Sequence, residues 1–232
     1  MRTLVLWDID HTLVSIDGLS REIYADVFAE ITGRPTEKVA SMAGQTDLAI
    51  TAETLRHHGI TPSPDLIEAF MGALAEAFSS RRHEIKARGR ALDGARAVLE
   101  ALADRTDVIQ SVLTGNMKPV AEYKLTAFDL NHLVDFEVGA YGQDAAERPT
   151  LVRLAQDRAT SKYGETFDAA TTVLIGDTPN DVLAGHQGGA RVIAVATGSS
   201  TKSQLQEAGA ELVLNSLTDT DAAVRAILSA GQ

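Results

Sequence analysis

Cysteine is absent from the 232-residue chain. This absence excludes disulfide bridges, a cysteine nucleophile, and zinc or iron–sulfur sites built on cysteine. Cations are few, since 21 lysines and arginines stand against 32 aspartates and glutamates, which gives a net charge of −11. So acidic a chain disfavours binding to nucleic acid or to anionic membranes, because both need clustered cations on the protein. We therefore expect neither as a partner.

Long apolar runs are missing as well. None approaches the roughly 20 residues that span a bilayer, and residues 1–6 are too few for the apolar part of a signal peptide. These two absences predict a cytoplasmic protein made without processing. Hydrophobic residues still make up 44% of the chain, which is enough for the core of a globular protein.

Short apolar segments alternate with helical patterns along most of the chain. Strands are predicted at residues 3–7, 108–113, 172–175 and 192–195, with a weaker one at 133–138. Helices are predicted at residues 93–103, 119–128, 150–162 and 179–187. This alternation indicates an α/β fold with a doubly wound parallel sheet.

Residues 16–88 interrupt the alternation. They contain no convincing strand, and helices are predicted at 18–32, 47–58 and 65–86, separated by glycine and proline. We therefore predict two domains. An α/β domain comprises residues 1–15 and 89–232, and a small helical domain at residues 16–88 is inserted just after the first strand.

Polar residues and one glycine follow three of the predicted strands. They are Asp8, Asp10 and His11 after the first strand, Thr114, Gly115 and Asn116 after the second, and Asp177 and Asp181 after the strand at 172–175. Ligands bind at the carboxyl ends of the strands in an open parallel sheet. We therefore expect these residues to lie around one crevice.

The chemistry of these residues predicts a metal site beside an anion site. Four aspartates in a confined space repel one another unless a cation neutralises them. A hard divalent cation with oxygen ligands, most simply Mg²⁺, meets that need. The Thr114 hydroxyl, the Gly115 backbone and the start of the following helix provide a site for an anion. Together these features suggest phosphoryl transfer to an aspartate.

Two of these residues, and Arg148 in the sequence Glu147-Arg148-Pro149, have a simpler interpretation, which the sequence leaves open. Thr114 is a suitable N-cap for the helix that follows it. Asp181 is a suitable first-turn acid, favoured there by the helix dipole. Arg148, a candidate site cation, is equally compatible with a solvated surface charge.

These motifs resemble the signature of the haloacid dehalogenase-like hydrolases. That signature consists of Asp-x-Asp-x-Thr, a Ser or Thr after the second strand, a Lys, and Gly-Asp-x-x-x-Asp. The matching residues are Asp8, Asp10, Thr12, Thr114, Gly176, Asp177 and Asp181. The resemblance covers nearly the whole chain and is nearest to phosphoglycolate phosphatase-like members. It implies that the inserted helices form a cap over the active site.

The resemblance also implies a role for each matching residue. Asp8 is the nucleophile that forms an aspartyl-phosphate, and Asp10 is the general acid and then the base. Mg²⁺ is held by Asp8, the backbone carbonyl of Asp10 and Asp177, while Asp181 holds metal-bound water or orients its neighbours. Phosphoryl oxygens are bound by Thr114 and by the backbone of Gly115 and Asn116.

The chain departs from the family at the lysine. Arg148, just before Pro149, stands where the family has Lys, and a planar guanidinium is not equivalent to a compact ammonium. Lys124 and Lys118 are the second and third candidates for this cation.

Two further positions are candidates for contact with the substrate. His11 stands where Gly or Asn is commoner in the family, and we expect it to face the leaving group. Gly44 and Gln45 lie in segment 43–47, which resembles the cap loop that enters the active site of related phosphatases. A plain helix-capping turn is an equally good interpretation of that segment.

The predicted function is a Mg²⁺-dependent phosphatase acting on a small, phosphoglycolate-like metabolite. A sugar-phosphate mutase of the same family is one alternative. A non-enzymatic signalling module that accepts phosphate on aspartate is another, although receiver domains are roughly half this length and have no helical insert. The chain is expected to be a monomer or a homodimer.

Overall fold

The computed structural model describes residues 2–229. In chain order the elements are β1 (Thr3–Trp7), β2 (Val14–Ser15), α1 (Leu19–Thr32), α2 (Asp47–His57), α3 (Pro64–Ser80), α4 (Arg82–Arg88), β3 (Arg90–Ala91), α5 (Ala95–Ala103), β4 (Val108–Val112), α6 (Lys118–Ala127), a 3-10 turn (Asn131–Leu133), α7 (Arg148–Tyr163), β5 (Thr172–Gly176), α8 (Pro179–Gly188), β6 (Arg191–Val195), α9 (Lys202–Glu207), β7 (Leu212–Leu214) and α10 (Thr220–Ser229).

Five strands form one parallel sheet in the order β4-β1-β5-β6-β7. Alternate residues of β1 face opposite sides of this sheet. Val5 and Trp7 belong to a core cluster shared with α5, α6 and α10. Leu4 and Leu6 belong to a second cluster, shared with α7 and α8. The predicted α/β fold with helices on both faces is therefore confirmed.

Four helices, α1 to α4, lie between β2 and β3 and are called the inserted helices below. The two short strands pair antiparallel, with Val14 opposite Ala91, so the chain leaves and rejoins the sheet at one place. The inserted helices share an apolar cluster built on side chains such as Phe28 and Phe70. Met117, just before α6, and Val120, within α6, also belong to this cluster. Their status as a separate domain stays a prediction.

The predicted strand at 133–138 is wrong. Leu133 ends a 3-10 turn, and the segment after it bonds to β4 through side chains as well as backbone. The Ser111 hydroxyl donates to the Asp135 carbonyl at 2.6 Å, and the Gln110 amide donates to the Leu133 carbonyl at 3.2 Å. Side-chain bonds of this kind replace a regular ladder, so the apolar run lies along the sheet edge without becoming a strand.

Other boundaries differ from expectation. The predicted helix at 65–86 is two helices, α3 and α4, separated at Arg81. The strand β7 and the helices α9 and α10 were not predicted. Among the helices of residues 2–229, none combines the length and the apolarity needed to cross a membrane.

Candidate active site

Three buried carboxylates meet at the carboxyl ends of β1 and β5. Oxygen atoms of Asp8, Asp177 and Asp181 lie within 4.8 Å of one another. Asp8 follows β1 and Asp177 follows β5, and these strands are neighbours whose residues Trp7 and Ile175 are paired. The sheet therefore joins two of the predicted motifs directly, and the first turn of α8 supplies the third carboxylate.

Burial and mutual repulsion make two carboxyl groups of this cluster harder to ionise. Burial, with the neighbouring carboxylates, raises the pKa of Asp8 to about 7 and that of Asp177 to about 9. A Cβ at Gly176 would collide with the Asp181 side chain, and one at Gly198 with Asp177, so the backbone closely encloses the cluster. An all-oxygen donor set with excess negative charge fits a hard divalent cation.

Asp181 is the first-turn acid of α8 and also lies in the carboxylate cluster. Its Oδ2 accepts hydrogen bonds from the Thr178 backbone N–H at 3.0 Å and the Thr178 hydroxyl at 2.6 Å, which forms a capping box at the start of α8. Its Oδ1 lies 2.6 Å from Arg148 Nη2. The first-turn acid is therefore also a member of the carboxylate cluster.

Arg148, the first residue of α7, is buried against the same cluster. Its side chain is 6% exposed, and Nη2 donates to Asp8 Oδ1 at 2.8 Å while also lying beside Asp181. The interpretation of Arg148 as a solvated surface charge is therefore wrong. Pro149 follows it in the first turn, where a proline costs no backbone hydrogen bond.

Asp10 belongs to a different network. Both of its carboxylate oxygens lie 2.7 Å from Lys124 Nζ, and Oδ2 also accepts from Asn116 Nδ2 at 2.7 Å. Burial raises the pKa of the Asp10 carboxyl, but Lys124 and the hydrogen bond from Asn116 more than offset it, so the net shift is downward. Asp10 was predicted to reach the metal through its backbone carbonyl, and its carboxylate lies outside the cluster of three.

The three candidate cations are thus in three different places. Arg148 contacts Asp8 and lines the cavity described below, whereas Lys124 and Lys118 are not among the described lining residues. Lys118 Nζ lies 5.9 Å from the centre of the Tyr141 ring. Of the three, Arg148 alone touches the carboxylate cluster.

The loop after β4 holds the predicted phosphate-binding residues. Thr114 is fully buried, and its hydroxyl accepts a hydrogen bond from Asn116 Nδ2 at 2.7 Å. The interpretation of Thr114 as a helix cap is wrong, because Met117 is the N-cap residue of α6. A Cβ at Gly115 would collide with the Gln45 carbonyl, so this position needs glycine for the inserted helices to approach.

Asp47 was missed as a site residue by sequence reasoning. It begins α2, yet its Oδ2 accepts from the Met117 backbone N–H at 2.8 Å and its Oδ1 accepts from the Tyr24 hydroxyl at 2.6 Å. The start of α6, where an anionic ligand was expected, therefore holds a carboxylate of the chain itself. Burial raises the pKa of Asp47 to about 6. Its position just after the helix cap Thr46 gives no sign of these distant contacts.

A cavity of about 310 Å³ lies between the sheet and the inserted helices. The sheet side includes Asp8, Asp10, His11, Thr114, Gly115, Asn116, Arg148 and Asp177, and the other side includes Ile16, Ser20, Arg21, Tyr24, Met42, Gly44, Gln45, Asp47 and Phe78. All the residues of the predicted motifs except Thr12, Gly176 and Asp181 are in this lining. Thr12 and Asp181 contact lining residues, since Thr12 donates to Asp177 and Asp181 lies beside Arg148.

The remaining candidates also face this cavity. His11 lines it and has a positive φ of 61°, a left-handed conformation that few residues other than glycine adopt. Gly44 and Gln45 line it from segment 43–47, while the Thr46 hydroxyl accepts from the Ala49 N–H at 3.2 Å and caps α2. The helix-capping turn is therefore present, and contact of this segment with a substrate stays a prediction.

The family model of the haloacid dehalogenase-like hydrolases matches residues 5–186. The chain belongs to this family. The match covers every motif described above, from Asp8 to Asp181. This haloacid dehalogenase-like hydrolase matches none of the curated proteins.

Solved structures share the fold of this haloacid dehalogenase-like hydrolase along nearly its full length. A predicted phosphatase from Clostridium acetobutylicum is 18% identical, with a TM-score of 0.72 and 99% of each chain covered. CbbY from Rhodobacter sphaeroides, solved in complex with phosphate, is 22% identical with a TM-score of 0.70 over 94% of this chain and 96% of that one. A predicted phosphoglycolate phosphatase from Haemophilus somnus is 18% identical, with a TM-score of 0.64 over 96% and 97%.

Proposed function

We propose that this hydrolase is a Mg²⁺-dependent phosphatase that acts through an aspartyl-phosphate on Asp8. The observation that carries the proposal is the contact of Asp8 with Arg148 inside the cluster of three carboxylates, at the wall of an enclosed cavity. Asp8, the Asp10 carbonyl and Asp177 would hold the metal ion. When bound there, Mg²⁺ supplies positive charge that offsets the repulsion between a carboxylate nucleophile and a phosphate dianion.

The chain's own residues account for both halves of the reaction. The Asp8 carboxylate attacks phosphorus, the bond from phosphorus to the ester oxygen breaks, and Asp10 gives its proton to that oxygen. The Asp10 carboxylate then takes a proton from water as the water attacks the phosphorus. The bond from phosphorus to Asp8 breaks, and phosphate and the free carboxylate are released. Arg148 and the Gly115 backbone hold the phosphoryl oxygens.

The cavity supports a small substrate with a second anionic group, of which phosphoglycolate is the simplest example. Its volume of about 310 Å³ suits a small metabolite. Arg148, which contacts Asp8 and Asp181, is occupied by the phosphoryl group in this proposal, so a second anion needs another cation. Arg21 on α1 also lines the cavity, and no ion pair to it occurs within residues 2–229. Its guanidinium is therefore available for a carboxylate or a second phosphate.

The test measures phosphate release from 2-phosphoglycolate, ethyl phosphate and p-nitrophenyl phosphate, with Mg²⁺ and with excess EDTA. We expect activity with Mg²⁺ alone and a higher kcat/KM for 2-phosphoglycolate than for ethyl phosphate, which lacks the second anion. Asp8→Asn should abolish all release, because an amide is not a nucleophile. Activity that survives Asp8→Asn or EDTA would contradict the proposal.

The same experiment tests the substrate class. Arg21→Gln should reduce the preference for 2-phosphoglycolate over ethyl phosphate, whereas Arg82→Gln, an exposed arginine on α4 outside the cavity lining, should not. An unchanged preference in Arg21→Gln would contradict the role of Arg21. Isomerisation of a sugar phosphate without net phosphate release would indicate a mutase instead.

A further inference from the structure

Lys124 is the most deeply buried cation near the cavity, yet it does not line it. The side chain is 0% exposed, and its ammonium lies behind Asp10. An ammonium has three hydrogen-bond donors. Three oxygens lie 2.7 Å from Nζ, namely both carboxylate oxygens of Asp10 and Oδ1 of Asn116, and the Ser20 hydroxyl is farther away at 3.4 Å. All three donors are therefore used inside the protein.

These contacts restrict the movement of the Asp10 side chain. Because one ammonium contacts both carboxylate oxygens, rotation of the carboxyl group breaks at least one charge-assisted hydrogen bond. Asn116 Nδ2 donates to Asp10 Oδ2 at 2.7 Å and so adds a second restraint from the loop after β4. The Asp10 side chain is still 35% exposed, and Asp10 lines the cavity. One side of it is held by the protein while the other is accessible to a ligand.

We propose that Lys124 is the positioning residue of Asp10 and acts on the reaction only through it. This inference rests on the proposed function. Lys124 and Asn116 hold the Asp10 carboxyl group facing the cavity. The proton that Asp10 takes from solvent or from the water of the preceding turnover passes to the ester oxygen as the bond between that oxygen and phosphorus breaks. The carboxylate that remains stays beside the ammonium and then takes a proton from the attacking water. Lys124 makes no contact with substrate and does not replace the family lysine.

The arrangement of the other cation supports this division. Arg148 Nη2 contacts Asp8 and Asp181, and Arg148 lines the cavity. The phosphoryl group therefore has a cation of its own, and Lys124 is not needed to neutralise it.

The test compares kcat/KM for ethyl phosphate, a poor leaving group, with that for p-nitrophenyl phosphate, a good one. Only the departure of the poor leaving group depends strongly on proton delivery. General acid catalysis raises the rate of such a reaction by about 10²–10⁴-fold. We expect Lys124→Met to lower kcat/KM by about 10²-fold with ethyl phosphate and by less than about 10-fold with p-nitrophenyl phosphate. The ratio of kcat/KM with ethyl phosphate to kcat/KM with p-nitrophenyl phosphate therefore falls in Lys124→Met. In Asn116→Ala, which keeps the ammonium beside Asp10, this ratio should fall by a smaller factor. Lys86→Met, an exposed lysine on α4, should change neither value.

Each alternative gives a different result. Equal losses with both substrates would show a structural or phosphate-binding role and would overturn the inference. Unchanged kcat/KM with both substrates would also overturn the inference. A higher kcat/KM with ethyl phosphate would overturn it too, because the ammonium would then oppose proton delivery. If Lys124→Met fails to fold, Asn116→Ala decides by the same ratio. A wild-type protein inactive with both substrates would overturn the proposed function and this inference with it, whereas an active one with an unchanged ratio overturns the inference alone.

Discussion

Arg148 and Lys124, which the sequence left as competitors for one task, contact different aspartates. Both contacts of Arg148 are made by one guanidinium nitrogen, Nη2, which lies 2.8 Å from Asp8 Oδ1 and 2.6 Å from Asp181 Oδ1. One nitrogen therefore contacts two members of the carboxylate cluster at the same time.

Removal of this guanidinium should impair catalysis strongly. We predict that Arg148→Ala lowers kcat/KM with 2-phosphoglycolate by about 10²-fold or more, the scale of losing one preorganised charge donor. Arg148→Lys should retain more activity than Arg148→Ala, because an ammonium keeps the charge. Arg153→Ala is the matched control. It removes an exposed arginine of the same helix that, within residues 2–229, bonds only to the Gln187 carbonyl, and it should have wild-type activity. A loss of less than about tenfold in Arg148→Ala would contradict this role.

Asp47 joins the beginning of α2 to the loop that precedes α6. Asp47 accepts the Met117 N–H with its carboxylate and donates its own backbone N–H to the Gly115 carbonyl at 2.8 Å. One residue of the inserted helices thus contacts two backbone groups of the loop after β4. The position of the inserted helices and the shape of that loop are therefore coupled.

The raised pKa of Asp47 makes this contact depend on pH. The carboxyl has a pKa of about 6 in the folded protein against 3.8 ordinarily, so folding favours its protonated form. Its contribution to stability is then fully present below about pH 4 and is lost as the pH rises through about 6, by up to about 3 kcal/mol. We predict that the free energy of unfolding, measured with urea, falls less between these pH values in Asp47→Asn than in the wild-type protein.

A control separates Asp47 from the other carboxyl groups. Asp65→Asn removes an exposed acid from the first turn of α3 and should follow the wild-type pH dependence. If Asp47→Asn and Asp65→Asn both follow the wild-type curve, then Asp47 does not titrate in this range.

Stability of the whole molecule should respond to the metal ion. Three clustered carboxylates repel one another, so a cation that binds the folded protein alone stabilises it. At about 100 times its Kd, such a ligand contributes about 2.7 kcal/mol, or roughly 5–10 °C in Tm for a chain of this size. We predict that Mg²⁺ raises Tm and that EDTA reverses the rise.

The rise should be larger at higher pH, because protons compete with the metal for Asp8 and Asp177, whose pKa values are about 7 and 9. Differential scanning calorimetry at two pH values checks this. Asp177→Asn should lose most of the rise, whereas Asp65→Asn should keep it. A rise of equal size in Asp177→Asn would place the metal ion elsewhere.

The sequence alone was sufficient for four of the five strands of the described sheet and for the aspartates at its edge. Apolar runs such as those of β1 and β5 reveal buried strands, because alternation and hydrophobicity are properties of residues close together in the chain. The acidic residues that follow these strands could then be placed together, since parallel strands end at one edge of a sheet. The sequence pattern did not reveal β7, because this strand has only three residues. It wrongly predicted a strand at 133–138, where the apolar run is bonded by side chains such as that of Ser111.

The tertiary structure alone decided which charges are paired. Lys124 and Asp10 are 114 residues apart, and Met117 and Asp47 are 70 apart. No spacing along the chain links them, because such pairs form only when α6 packs between the sheet and the inserted helices. A cation's role depends on which carboxylate it reaches after packing, so the choice among Arg148, Lys124 and Lys118 required the fold.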